Sequence, residues 1–298
     1  MLVKFADDGG RLSTNETSVI IDLPDALGKL ALETRREDQD APPFQGSKTN
    51  TFYSDEFDAL TLDGSDEIDD VTDVDDMPVF DTIGDIQSSG TYTFANTLDL
   101  GNVFSLDLKR FFTTRGYFPS DLVDSRTGNV DDWTDFDGGV IDSVNAKLNL
   151  RKTDDDPSGT PTWGNWQEFT NGTFKGRAFQ FRADLTSSDV AENILVDELG
   201  YTAEFQRRTE QSDGSIASGA GAKAISFGSA FFTGTASLGG TNAYVPSVGI
   251  TAENMQSGDF FELSSITGSG FTVTFKNSGG TAVDRNFRWQ VTGYGKAG

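Results

Sequence analysis

Apolar and polar residues alternate over short segments in most of this chain, and that two-residue period constrains the fold more than any other feature. Residues 144–150, 179–185 and 271–275 each place an apolar side chain at every second position. Successive side chains of a strand point to opposite faces, so each segment would bury one face and leave the other in water. Turn-forming residues at 156–159 and 277–280 follow the first and the last of these segments. The pattern predicts an all-β fold of tandem antiparallel β-sandwiches.

Charge and glycine are distributed unevenly, and this distribution divides the chain. The formal net charge is −24. Residues 1–205 hold 41 acidic and 16 basic residues, whereas residues 206–298 hold 6 acidic and 7 basic ones and 16 of the 33 glycines. Two units of different construction are therefore expected.

We predict four parts along the chain. They are an N-terminal attachment region with an irregular acidic linker at 1–85, a jelly-roll-like β-sandwich at 86–205, a linker at 206–224 and a small C-terminal β-sandwich at 225–298. A sandwich of roughly 75 residues buries little surface alone, which favours support from partner subunits.

Histidine and cysteine are both absent from the sequence. A Ser-His-Asp or Cys-His nucleophile cannot be built without them, and zinc sites need the same residue types. Paired carboxylates remain available for glycoside hydrolysis, although no spacing singles out such a pair. The predicted function is therefore not enzymatic, and no cofactor is expected.

The acidic composition also limits the partners that we expect. A net charge of −24 disfavours binding to nucleic acid or to anionic membranes. No run of about 18 apolar residues is present that would span a membrane. Asp7 and Asp8 interrupt any apolar region of a signal peptide. We expect no nucleic-acid partner, no membrane insertion and no signal peptide.

The segment 55–85 contains 13 acidic residues, and the wider stretch 49–108 contains no lysine or arginine. A calcium-binding loop is one interpretation, but the spacing of these acids lacks the EF-hand pattern. A solvated acidic linker is the interpretation that we favour.

A second acidic loop, at residues 130–138, surrounds Trp133. Asp131, Asp135 and Asp137 are weak candidates for calcium ligands, because carboxylates suit calcium but their spacing matches no strong template. Trp133 is a candidate for stacking against a ligand, because its neighbours are polar. Burial of Trp133 in the core is the alternative.

Further candidates for ligand binding lie near two turns. Trp163 and Trp166 flank a turn at Gly164–Asn165, and exposed aromatic rings beside amides and carboxylates are typical of sugar-binding platforms. Trp166 continues into a predicted strand at 167–169, so core packing is the interpretation that we favour over a sugar platform. Arg285 and Arg288 lie outside the apolar row of the last long strand, and Asp284 lies at the turn before it. In a trimer they would pair across a subunit seam or bind a ligand there, and a solvated face is the interpretation that we favour.

The C-terminal segments carry a resemblance to a known family. They read ITAENMQSGDFFEL at 250–263, GFTVTFKNSG at 270–279 and VDRNFRWQVTGYG at 283–295. These segments resemble the C-terminal domain of tail-tip host-specificity proteins of long-tailed bacteriophages and gene-transfer agents, the lambda J-like proteins. Their order is also similar to that of the small H-type lectin sandwich.

The middle of the chain adds to this resemblance at 151–157 (RKTDDDP), 161–169 (PTWGNWQEF) and 176–189 (GRAFQFRADLTSSD). The similarity extends over residues 86–298. It implies an H-type-lectin-like terminal sandwich, a homotrimer, and a place at the distal tail of the virion beside other tail-tip or baseplate proteins. The implied function is structural and adhesive, with a host surface glycan or another host receptor as the ligand.

Two other functions stay open from the sequence. A secreted carbohydrate-binding module would need export, against which the N-terminal residues argue. A glycan hydrolase would use paired carboxylates, but phage depolymerases usually carry long β-helical repeats, and no such repeat is visible. We therefore predict a tail-tip or tail-fibre protein that binds the host cell surface.

Overall fold

A computed structural model describes the chain at residues 2–3, 17–18, 28–64, 86–118, 141–190 and 192–298. Within these ranges almost every element is a β-strand, and the one helical element is the 3₁₀ turn Glu37–Gln39. The long strands pair in antiparallel fashion. The predicted all-β class with antiparallel sheets is confirmed.

The strands are short near the N-terminus of the described chain and long in its middle. Up to residue 168 they are β1 (Leu2–Val3), β2 (Thr17–Ser18), β3 (Lys29–Arg36), β4 (Ser47–Thr49), β5 (Thr51–Ser54), β6 (Ala59–Leu62), β7 (Ser89–Thr93), β8 (Leu98–Tyr117), β9 (Val144–Thr153) and β10 (Gln167–Glu168). Beyond it they are β11 (Gly172–Ser187), β12 (Asn193–Gln211), β13 (Ile216–Ala217), β14 (Lys223–Ser226), β15 (Ser247–Glu253), β16 (Phe260–Ser264), β17 (Gly270–Lys276), β18 (Asn286–Tyr294) and β19 (Lys296–Ala297).

A large sandwich is built around the three longest strands. β11 pairs with β9 from Ala178 to Ser187. On its other side it pairs first with β8 and then with β7. β12 pairs with β8, β3 and β6. β11 and β12 meet across the core, where the rings of Phe181 and Tyr201 stack with centroids 4.1 Å apart. The predicted alternation in β11 is confirmed, since Phe179, Phe181, Ala183 and Leu185 are all fully buried.

The N-terminal segment 28–64 packs onto this large sandwich. β3 lies beside β12, and Phe44, Leu60 and Leu62 belong to the same core as β8 and β11. The carboxylate of Glu37 is fully buried, where it accepts hydrogen bonds from Tyr92 and Arg35. This part of the predicted attachment region therefore shares a core with the middle sandwich, while residues 65–85 of the acidic segment lie outside the described residues.

A smaller terminal sandwich follows. One of its sheets has β18 at the centre, flanked by β15 on one side and by the end of β12 and β13 on the other. The second sheet has the order β14-β17-β16. Its core side chains are Phe227, Phe231, Phe271, Val273, Phe275, Phe287 and Val291. Trp289, on the central strand, is half-buried against them.

Strand β12 runs from one sandwich into the other. Its residues 193–204 pair with β8 of the large sandwich, and Arg207–Gln211 pair with β18 of the terminal one. Residues 206–211 of the predicted linker therefore belong to a continuous strand. The chain then returns, because β19 near the C-terminus pairs with β8 at Phe104 and Ser105.

Two adjacent phenylalanines and one arginine make contacts at the junction between the large sandwich and the terminal sandwich. Phe231 packs in the terminal core, whereas Phe232 packs in the large one. The Arg208 guanidinium lies 3.6 Å from the centre of the Phe231 ring, a cation–π contact. Arg208 also donates hydrogen bonds to the Gly295 and Ser229 carbonyls at 2.7 Å and 2.5 Å. The two sandwiches are thus held by several independent connections.

Candidate binding surfaces

Trp163 stands at one end of a stack of alternating indole and guanidinium groups, which we call the Trp–Arg stack. The Arg151 guanidinium lies 5.1 Å from the Trp163 ring centre and 4.6 Å from that of Trp166. Arg182 lies 4.6 Å from the Trp166 ring centre. Both indoles are half-buried. The stack holds the loop that precedes β10 against the polar face of β9 and β11, which gives Trp163 a packing role.

Polar partners fix the arginines of the Trp–Arg stack. Arg151 donates from Nε to Gln180 at 2.8 Å, and Arg182 pairs with Asp184 at 2.6 Å. Asn149 donates to the same Asp184 carboxylate at 2.7 Å. Burial, and then the neighbouring Arg182 charge, lower the pKa of Arg151. Only the exposed part of the Trp163 ring would be able to contact a ligand. The ligand-binding role of Trp163 stays a prediction.

Asp284 and Arg285 lie together before strand β18 and are both engaged inside the subunit. Arg285 donates from Nε and Nη2 to Asp259 at 2.6 Å, and the two side chains are only 12% and 3% exposed. The hydrogen bond from Arg285 lowers the pKa of Asp259. Asp284 accepts a hydrogen bond of 2.7 Å from the Gly219 backbone. This Arg285–Asp259 clamp ties the loop before β16 to the start of β18.

The predicted site residues do not form one site in the described part of the chain. Trp163 belongs to the large sandwich, whereas Asp284 and Arg285 belong to the terminal one. Trp133 and the calcium candidates Asp131, Asp135 and Asp137 lie outside the described residues. No group of three or more possible metal-ligating side chains is found among the residues that are described. Their ligand and calcium roles stay predictions.

An exposed apolar edge of the terminal sandwich was not predicted from the sequence. Met255, Phe260 and Phe261 are 36%, 41% and 38% exposed. β16 pairs only with β17 in its three-stranded sheet, so it is an edge strand of the described fold. The alternation of Phe261 with Leu263 indicates a strand but not its place in a sheet. These three side chains are called the apolar edge below.

Comparisons with known proteins add no relative. No family model matches the chain, and neither a curated protein nor a solved structure matches it. In the described part of the chain, no helix is both long and apolar enough to cross a bilayer.

Proposed function

We propose that this chain is a structural, non-enzymatic protein of the distal tail of a bacteriophage. In this proposal it assembles as a homotrimer through its terminal sandwich and binds the host cell surface, with a surface glycan as ligand. The C-terminal motifs that resemble tail-tip host-specificity proteins support the virion assignment. The incomplete cover of the terminal core supports the assembly.

The observation that carries the proposal is the exposure of apolar side chains in the terminal sandwich. In the described chain, seven residues of its core cluster are buried, and nine apolar neighbours are only partly buried against them. The apolar edge at Met255, Phe260 and Phe261 adds to this surface. An edge strand without a second partner presents unpaired backbone groups to which a strand of another chain can pair. Further copies of the same unit would cover this surface.

The charge distribution supports assembly through the terminal sandwich rather than through the remainder of the chain. Residues 206–298 hold 6 acidic and 7 basic residues, whereas residues 1–205 hold 41 acidic and 16 basic ones. Copies that meet through the nearly neutral unit keep the acidic regions apart. Beyond a Debye length of about 8 Å the remaining repulsion is largely screened at physiological salt.

The test is the mass of the full chain in solution. We expect the wild-type chain to sediment as a trimer, and a double variant with Phe260→Ser and Phe261→Ser to sediment as a smaller species. Phe52→Ser is the matched control, because Phe52 of the large sandwich is also 41% exposed. A wild-type monomer, or a double variant that remains trimeric, would contradict the proposal.

Binding to isolated host envelope tests the adhesive part. The trimer is expected to bind intact envelope glycan without releasing reducing sugar. Release of reducing sugar would favour a glycan hydrolase, since paired carboxylates alone suffice for that chemistry.

A further inference from the structure

A cleft lies where the terminal sandwich meets the large one. Its volume is about 450 Å³, and its lining residues are Arg207, Ala243, Tyr244, Val245, Ser247, Thr292, Gly293 and Tyr294. Binding sites for small molecules commonly have volumes of about 300–1,000 Å³. The cleft lies between the pairing region of β12 with β18 and the segment that leads into β15. We call it the waist cleft.

Arg207 supplies an uncompensated positive charge to the waist cleft. Its side chain is exposed and forms no ion pair or side-chain hydrogen bond with any residue that the structure describes. The next residue, Arg208, is by contrast paired with Glu210 and bound to two carbonyls. The chain has 47 acidic residues for 23 basic ones. A guanidinium left without a carboxylate in such a chain is available for a carboxylate of a ligand.

Two tyrosines form the aromatic part of the waist cleft. Tyr294 lies directly opposite Arg207 in the pairing of β18 with β12. Tyr244 stacks on the buried Phe232, with ring centroids 5.9 Å apart and an interplanar angle of 28°, which fixes its orientation. Both tyrosines are half-buried, so part of each side chain remains accessible. Aromatic rings with hydroxyl tips combine an apolar contact surface with hydrogen-bonding capacity.

Hydroxyl groups complete the lining. Ser247 is exposed at the start of β15, and Thr292 is half-buried on β18. The Thr292 hydroxyl lies 3.2 Å from that of Thr209, so this region of the sheet surface presents several groups that both donate and accept. Aromatic rings, neutral hydroxyls and one unpaired guanidinium together match the chemistry of a sugar that carries an acid group.

We propose that the waist cleft binds an acidic saccharide, with Arg207 pairing with its carboxylate and Tyr244 and Tyr294 contacting its ring. This inference rests on the proposed function, since it names the class of host glycan and the place where it binds. The Arg207 guanidinium would give specificity for an acidic over a neutral saccharide, because a neutral sugar of the same shape would leave Arg207 without a carboxylate partner.

The test measures binding of a short galacturonic acid oligosaccharide and of its neutral galactose counterpart to the full chain by titration calorimetry. We expect the acidic oligosaccharide to bind and the neutral one to bind at least about tenfold more weakly. Arg207→Gln should lower the affinity for the acidic oligosaccharide by about tenfold or more. Arg288→Gln is the control, because Arg288 is exposed outside the cleft and pairs with Glu253.

A variant at Arg207 is not expected to disturb folding, because its exposed side chain forms no ion pair or side-chain hydrogen bond with a described residue that would be lost. An unchanged melting temperature and an unchanged mass in solution check this. A second variant, Tyr294→Ala, should also weaken binding.

Equal binding of the two oligosaccharides, absence of binding by the wild-type chain, or full affinity in Arg207→Gln would each overturn the proposal. These outcomes are separable from a failure of the proposed function. If Arg207→Gln still assembles and still binds host envelope as the wild type does, the waist cleft is not the receptor site, and the adhesive function stands. If the wild type binds the acidic oligosaccharide through Arg207 but neither forms a trimer nor binds host envelope, the cleft proposal stands without the tail function.

Discussion

The large sandwich and the terminal sandwich differ most in how completely they cover their apolar side chains. In the described chain, the core cluster of the large unit has 26 buried members and ten partly buried neighbours, whereas the terminal one has seven and nine. Both are built from the same two-residue alternation. Segment 28–64 adds side chains to the core of the large unit. In the terminal unit, β16 pairs with β17 alone among the described strands.

Apolar burial within one subunit and apolar burial between subunits are two separate sources of stability. A fully buried Phe or Leu side chain stabilises the fold by about 1.5–3 kcal/mol relative to exposure. The large unit gains this within one subunit. Under the proposed assembly, the terminal unit would gain part of it only when another copy covers its exposed side chains. Small sandwiches of this kind depend on neighbours for the rest.

The largest effect that we expect is on the free energy of unfolding, in variants that each remove one buried ring from one of the two cores. Phe181→Ala removes a fully buried ring that stacks on Tyr201, and we expect a loss of about 3–5 kcal/mol in the free energy of unfolding. Phe275→Ala removes a fully buried ring in the terminal core, where partly covered neighbours relax into the space, so a smaller loss is expected. Urea denaturation of both variants measures this. Equal losses would show that the two cores are equally well packed.

The second largest effect that we expect is on the thermal coupling between the large sandwich and the terminal sandwich. Arg208→Met removes the hydrogen bonds to Ser229 and Gly295 and the contact with the Phe231 ring. Hydrogen bonds from charged groups contribute about 1.5–3 kcal/mol each. Scanning calorimetry should show the terminal sandwich melting separately and earlier than in the wild type. Arg207→Met is the matched control, and its thermogram should keep the wild-type shape.

A smaller, pH-dependent effect is expected at the Arg285–Asp259 clamp. The hydrogen bond from Arg285 lowers the pKa of Asp259, below the value of about 3.9 for an unfolded chain. A group with a lowered folded pKa stabilises the fold above its unfolded value, and this is lost as pH falls through the folded pKa. Arg285→Gln should therefore lower the melting temperature of the terminal sandwich at neutral pH, and the difference should shrink in acid.

Lys223→Gln provides the comparison for the clamp, because Lys223 has no ion pair within the described residues. Its melting temperature should follow the wild type at every pH. A deficit in Arg285→Gln that persisted unchanged into strong acid would show that the clamp acts by packing alone.

The sequence predicts buried strand faces well and the surroundings of a strand poorly. The alternation in 179–185 identifies four fully buried side chains of β11. The same pattern in Phe261 and Leu263 leads to a ring that is 38% exposed, because alternation does not say whether a strand lies at the centre or at the edge of a sheet.

The junction and the waist cleft were not predicted, and the reason is sequence separation. Arg208 contacts Gly295, which is 87 residues away. Phe231 and Phe232 are adjacent and face different cores, so they show no two-residue period. Arg207 and Tyr294 meet only because β18 returns beside β12. Such sites depend on topology, which local patterns do not encode.

The most direct test of the account is amide hydrogen exchange of the full chain as a function of protein concentration. We expect the amides of edge strand β16 and of the loop that precedes it to become more protected as protein concentration rises, whereas the protection of the β9 and β11 amides stays unchanged. Protection of β16 that is the same at every concentration, in a chain whose mass remains that of a monomer, would contradict it.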